Sequence, residues 1–132
     1  MKKRGILNCD LIKNIAALGH MDLFMIGDAG MPIPPGVKVV DLALCPGVPT
    51  LQQVLDAVMA ETEVESYYIA DEIDSRNPAL AAYISRVMEG IEYSSMPHKE
   101  LKELSARCRF AVRTGECSSY SNLILQAGVS FS

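Results

Sequence analysis

The sequence predicts an α/β fold, a three-layer α/β/α sandwich around a mainly parallel, Rossmann-like sheet. Two observations lead there. Apolar or β-rich runs of strand length recur at residues 23–27, 37–42, 64–70, 91–94, 110–113 and 122–126. Segments with apolar residues at helical spacing alternate with them, and Gly, Pro and Asn mark the breaks between.

Each element has a local reason. Asn8 suits a helix N-cap, because its side-chain oxygen can accept a free amide of the first turn. Leu11, Ile12, Ile15, Ala16 and Leu18 then follow at helical spacing, and Gly19 is expected to close the helix in the left-handed region. Leu23-Phe24-Met25-Ile26 is long enough for a buried strand and too short for a helix. Between Gly27 and Gly36, Pro32, Pro34 and Pro35 make a stiff loop. A second strand is expected at 37–42, followed by the turn Pro46-Gly47-Val48-Pro49. Thr50 caps a helix whose buried positions would be Leu51, Val54, Leu55, Val58 and Met59.

Tyr67, Tyr68 and Ile69 give 64–70 its strand propensity, and Asp71-Glu72 closes it. Asn77-Pro78 reads as a cap followed by proline at the first helical position, opening a helix that runs to about residue 89 and stops at Gly90. A short strand at 91–94 precedes a helix opened by Pro97 and carried by Leu101 and Leu104. The last two strands are 110–113 and 122–126.

At 132 residues the chain is expected to form one domain, 1–132. Its apolar fraction of 49% is high for so small an interior and points to a homo-oligomer. A net charge of -4 argues against nucleic acid, which needs a basic footprint. The basic start Lys2-Lys3-Arg4 is not followed by the apolar region of a signal peptide, and no run approaches the length of a membrane span. Cys9, Cys45, Cys108 and Cys117 have neither zinc-knuckle nor redox-motif spacing. Their even number permits disulfides, but free thiols in a reducing cytoplasm are the expectation.

Candidate chemistry gathers in two stretches. In residues 19–30, His20 and Asp28 flank the apolar run, so one rigid element fixes two titratable groups and would carry half of an active site. His20 could be an imidazole favoured by a helix C-terminus, or a general acid/base, since histidine titrates near neutral pH. Asp28 could close a turn through nearby amides, or orient the imidazole or hold a substrate hydroxyl. Asp22 reads as a solvated or capping residue. His98, in the first turn of a helix, is either a surface residue or one placed to meet a polar ligand.

The stretch 113–122 is dense in hydrogen-bonding side chains. It is either a polar surface loop or, through Tyr120, Ser121 and Asn122, part of a sugar-type site. Cys117 has no activating base nearby in sequence. Two histidines with no regular spacing to other ligand types give no metal site.

Taken in order, Lys3-Arg4-Gly5-Ile6-Leu7-Asn8, Gly19-His20, Ile26-Gly27-Asp28-Ala29-Gly30-Met31-Pro32-Ile33-Pro34, the Asp71-Glu72 turn, Arg113-Thr114-Gly115-Glu116 and Tyr120-Ser121-Asn122-Leu123-Ile124-Leu125 resemble the D-ribose pyranase family. That family is a branch of a superfamily that also holds L-fucose mutarotase, and the likeness runs along essentially the whole chain. It implies an isomerase that interconverts the pyranose and furanose rings of D-ribose without a cofactor. It also implies that His20 is the proton donor and that Asp28, His98, Tyr120, Ser121 and Asn122 contact the sugar. A cytoplasmic decamer of two stacked pentamers, with sites lined by adjacent subunits, follows from the same likeness.

Ser118-Ser119 departs from the threonine-proline common in the family before the tyrosine, and Met21 stands where threonine is common. Gly30 favours the pyranase branch, since the fucose branch typically has histidine there. The alternatives are a mutarotase for L-fucose or another sugar, and a non-catalytic sugar-binding accessory of an uptake system. A nucleotide-binding module is disfavoured, because the chain has no Walker loop and no G-x-G-x-x-G turn after its first strand.

Overall fold

A computed structural model describes all 132 residues. The strands are β1 (Leu23–Gly27), β2 (Lys38–Asp41), β3 (Val64–Ala70), β4 (Glu92–Met96), β5 (Phe110–Arg113) and β6 (Leu123–Ala127). The helices are α1 (Cys9–Ala16), α2 (Leu51–Met59), α3 (Ile73–Arg76), α4 (Pro78–Val87) and α5 (His98–Leu104), and a 3-10 turn spans Ser105–Arg107. One sheet takes all six strands in the order β2-β5-β1-β6-β3-β4. β6 runs antiparallel to both its neighbours, and every other pairing is parallel.

This topology gives the sheet two chemically distinct edges. The C-terminal ends of β1 to β5 lie at one of them, and so does the start of β6, because Leu123 pairs with Ile26 and with Ile69. The opposite edge holds the starts of β1 and β3 and the end of β6. Short parallel strands buried on both faces are near-continuous in apolar residues. Accordingly every residue of β1 is buried, with Phe24 stacked on Phe110 at 5.2 Å.

The sandwich has its three layers, with unequal faces. On one face, side chains of α1 to α4 join the sheet in a core of 21 buried residues, including Ile15, Leu55, Val58 and Ile84. The other face is covered by Leu101 of α5, Met31 and Cys108 in a cluster of eight. Two expected caps are present. Asn8 Oδ1 accepts from the Leu11 amide at 2.9 Å, and Thr50 and Gln53 form a reciprocal capping box on α2.

Other local expectations give way to tertiary contacts. α1 ends at Ala16, and the left-handed residue is Met21 (φ 74), not Gly19. α4 ends at Val87, two residues earlier than expected, and the extra short helix α3 follows Asp71-Glu72. Asn77 does not cap α4 with its side chain. Its amide instead donates to Ser118 Oγ (3.0 Å), Ser119 O (2.9 Å) and Ser121 Oγ (3.3 Å), tying the helix start to the loop before β6.

Candidate active site

At the C-terminal edge of the sheet, Asp28, His98 and Asn122 form a hydrogen-bonded cradle. The parts come from far apart in sequence. Asp28 follows β1, His98 opens α5 after β4, and Asn122 immediately precedes β6. The Asp28 backbone amide donates to Asn122 Oδ1 at 2.9 Å. A backbone N–H can only donate, so this bond fixes which way the Asn122 amide faces. Asn122 Nδ2 then donates to Asp28 Oδ2 at 3.1 Å and to His98 Nε2 at 3.2 Å. To accept there, the His98 ring must be neutral with its proton on Nδ1. Burial lowers the pKa of His98 and the Lys102 ammonium lowers it further, while Glu72 and Asp28 partly oppose them, so the environment favours this neutral form.

Gly27 explains how Asn122 comes so near β1. A Cβ at that position would stand 3.0 Å from Asn122 Oδ1 and 3.2 Å from Met31 Cβ. His98 is held from behind as well, since Glu72, directly before α3, accepts from its backbone amide at 3.0 and 3.2 Å.

Tyr120 walls the cradle. Its ring meets His98 edge-on at 5.0 Å, and the Arg76 guanidinium lies 5.9 Å from the ring centroid. Its backbone is left-handed (φ 57), a strain of about 1–2 kcal/mol for a residue with a side chain. The loop that imposes it is well tied. Glu116 accepts from the Leu51 amide (3.0 Å) at the start of α2 and from Ser118 Oγ (2.9 Å). The Ser121 hydroxyl is fully buried and engaged inside this loop, donating to Ser118 O at 2.9 Å, so its side chain does not face the cradle.

His20 lies at the opposite edge. The five residues of β1, at about 3.3 Å each, put roughly 16 Å between it and Asp28. Within one chain, Asp28 therefore stands out of reach of this imidazole, so the two do not form the intrachain pair that their places in the sequence suggested. The partner of His20 is Glu65: His20 Nε2 lies 3.0 Å from Glu65 Oε2, and Gln126 Nε2 donates to Glu65 Oε1 at 2.6 Å. Those two hydrogen bonds, Gln126 first, hold the Glu65 carboxyl below its ordinary pKa.

The turn carrying His20 is pinned on three sides. Asp22 accepts from the Gly19 amide (2.8 Å) and from Arg109 Nε (3.2 Å), and the Met21 amide donates to Ala127 O (2.8 Å). The His20 side chain is 53% exposed. No group of three or more His, Cys, Asp or Glu side chains is placed to hold a metal ion, and all four cysteines are free thiols.

Residues 1–130 match the model of the RbsD / FucU transport protein family. The chain belongs to this family. Among its relatives in the RbsD / FucU family, it is 47% identical to the D-ribose pyranase of Symbiobacterium thermophilum and 44% identical to that of Limosilactobacillus fermentum, each over 99% of this chain and 100% of the relative. Its fold superposes on the structure of Bacillus subtilis RbsD complexed with D-ribose with a TM-score of 0.96, at 42% identity over 99% of this chain and 100% of that one. The fucose mutarotase of Streptococcus pneumoniae shares the fold alone, with a TM-score of 0.81 at 22% identity over 99% of this chain and 100% of that one.

Within this RbsD / FucU chain, then, Asp28, His98, Asn122 and the Tyr120 ring are brought together, and His20 is held apart with partners of its own. Sequence reasoning missed Glu65, Gln126, Glu72 and Arg76. Each carries a charge or amide at a strand or helix end, but its partner lies far away in the chain.

Proposed function

We propose that the chain is a D-ribose pyranase, interconverting the pyranose and furanose rings of D-ribose and so feeding ribose utilisation. The observation that carries this reading is the cradle of Asp28, His98 and Asn122, whose donors and acceptors are fixed in direction at the sheet edge where α/β folds receive ligands. Full-length relatives named D-ribose pyranase, and the ribose complex of RbsD from B. subtilis, support ribose as the sugar.

Ring opening breaks the bond between C1 and the ring oxygen. The ring oxygen gains a proton and the anomeric hydroxyl loses one to water, leaving an open-chain aldehyde. Closure through a different hydroxyl runs the same traffic in reverse. His20 gives the proton and regains it, a contribution of about 10²–10⁴-fold for a positioned acid/base. Asp28, His98, Tyr120 and Asn122 hold the sugar hydroxyls so that the competing oxygen reaches C1. Ser121 contributes by holding the loop in shape.

One subunit does not join these halves, so the proposal includes an assembly in which His20 of the partner subunit reaches the cradle. A cytoplasmic decamer of two pentameric rings, each chain acting as one domain, satisfies it. Exposed apolar side chains at Met21, Leu44, Val48 and Tyr93 suit burial between subunits, and the free thiols suit a reducing compartment.

Saturation-transfer NMR on ribose, with fucose in parallel, tests the reaction. The protein should accelerate ribose exchange and His20→Ala should abolish the acceleration. No acceleration by the wild type defeats the function, and wild-type exchange by His20→Ala defeats the assignment. Co-assembling His20→Ala with Asn122→Ala should restore activity at about a quarter of the sites if each is shared by two subunits, and no recovery refutes the shared site.

A further inference from the structure

Resting on the proposed role of His20, we propose that Glu65 is its positioning residue, held in turn by Gln126, and that Nδ1 is the imidazole nitrogen that exchanges protons with the sugar. Two independent features of the fold lead there. The first is the hydrogen-bond chain Gln126–Glu65–His20, in which Gln126 Nε2 meets Glu65 Oε1 and Glu65 Oε2 meets His20 Nε2. An ionised carboxylate accepts only, so the ring nitrogen facing it carries a hydrogen. When the ring is neutral, that leaves the lone pair on Nδ1. When the ring is charged, Nε2–H stays with Glu65 and the proton on Nδ1 is the one free to leave.

The second is the backbone that presents Glu65. Against β6, Val64 of β3 pairs with Ala127 but Ser66 pairs with Gln126, so Glu65 is the extra residue of a β-bulge. Bulges re-aim a side chain at the cost of a regular ladder, and recur beside active sites. Here the bulge brings Glu65 to the imidazole. Met21, the residue directly after His20, is the non-glycine residue of this edge with a left-handed φ, 74, which turns the chain there. The bulge and the strained residue thus flank the same contact.

Positioning of this kind acts through His20 and leaves sugar binding alone. Glu65→Gln keeps the shape and removes the charge. The neutral amide can accept from Nε2–H or donate to a bare Nε2, so the tautomer bias is lost. Expected is a two- to fivefold fall in kcat for ribose exchange, roughly 0.4–1 kcal/mol of barrier, with KM unchanged. In ¹⁵N NMR of the ring nitrogens, assigned against His20→Ala, the neutral wild type should sit as the Nε2–H tautomer and Glu65→Gln as a mixture. Gln126→Leu, which leaves the charge but frees Glu65, should give a smaller fall in kcat of the same kind and carries the test if Glu65→Gln fails to assemble.

Wild-type kcat in both variants, a loss confined to KM, or an unchanged tautomer in Glu65→Gln overturns the inference. Should the wild type not catalyse ribose exchange, the function fails instead, and the tautomer measurement on sugar-free protein still decides the Glu65–His20 contact.

Discussion

Replacing Asn122 with Asp changes one group of the cradle and should invert how stability depends on pH. The new oxygen would occupy the place of Nδ2, 3.1 Å from Asp28 Oδ2 and 3.2 Å from the lone pair of His98 Nε2. Asn122 is only 1% exposed, so water screens this encounter poorly. Two carboxylate charges about 4 Å apart repel by about 4 kcal/mol at an effective dielectric constant near 20. The folded variant relieves that repulsion by binding a proton within the cluster, on His98 or between the two acids. Its folded state therefore binds protons more readily than its unfolded state, and its stability falls as pH rises.

In the wild type the His98 contribution has the opposite sign. Burial lowers the pKa of His98, so the unfolded chain takes up that proton first. The contribution is intact above the ordinary histidine range and is lost as pH falls through the lowered value. Urea unfolding at fixed subunit concentration between pH 5 and 8 measures both. The variant should be less stable by roughly 3–5 kcal/mol at pH 8, with the gap narrowing towards pH 5. A gap that is constant, or that widens on acidification, refutes the reasoning about which atom of Asn122 faces the cradle.

Two further substitutions probe the supports of the cradle. Gly27→Ala places a methyl 3.0 Å from Asn122 Oδ1, so it should destabilise by about 1–3 kcal/mol in urea unfolding and raise KM for ribose several-fold in exchange measurements. Glu116→Gln should cost about 1 kcal/mol. Burial alone would raise the pKa of Glu116, but hydrogen bonds from Leu51, Ser118 and Cys117 outweigh it and leave the pKa lowered. The stabilisation is therefore present above the ordinary glutamate range and lost below it, and the variant should show a flatter loss of stability between about pH 5 and pH 3.

How much of this was legible in the sequence follows from where each residue finds its partner. β1, β3 and β5 were readable to the residue: β1 and β5 because a buried strand of a central sheet needs only an apolar run with a turn at each end, β3 because Tyr67, Tyr68 and Ile69 carry strand propensity up to the Asp71-Glu72 break. The caps at Asn8 and Thr50 were readable because their hydrogen-bond partners lie three residues on. Asn77 carries the same local signature, yet three serine-loop acceptors more than 40 residues away take its amide. Gly19 has the right chemistry for a left-handed turn, but the bonds from the Gly19 amide to the Asp22 carboxylate and from the Met21 amide to Ala127 O accompany that conformation at Met21 instead. The bulge that aims Glu65 is a register slip against β6, and no pattern within β3 itself announces it.

The site shows the same division at larger scale. His20 and Asp28 bracket β1 in sequence, which suggests proximity, but a strand separates its two ends by its full length. Asp28 and Asn122 are 94 residues apart and touch, because β6 starts beside the residue where β1 stops. The two non-glycine residues with left-handed backbone, Met21 and Tyr120, fall one beside each half. Strain of that kind persists only where surrounding contacts over-determine it. Its presence at both edges suits the proposed arrangement, in which each subunit would hold an acid/base arm at one edge of its sheet and a sugar cradle at the other. Under that proposal neither half would have to flex to meet the other, because the assembly would supply the proximity that a single sheet forbids.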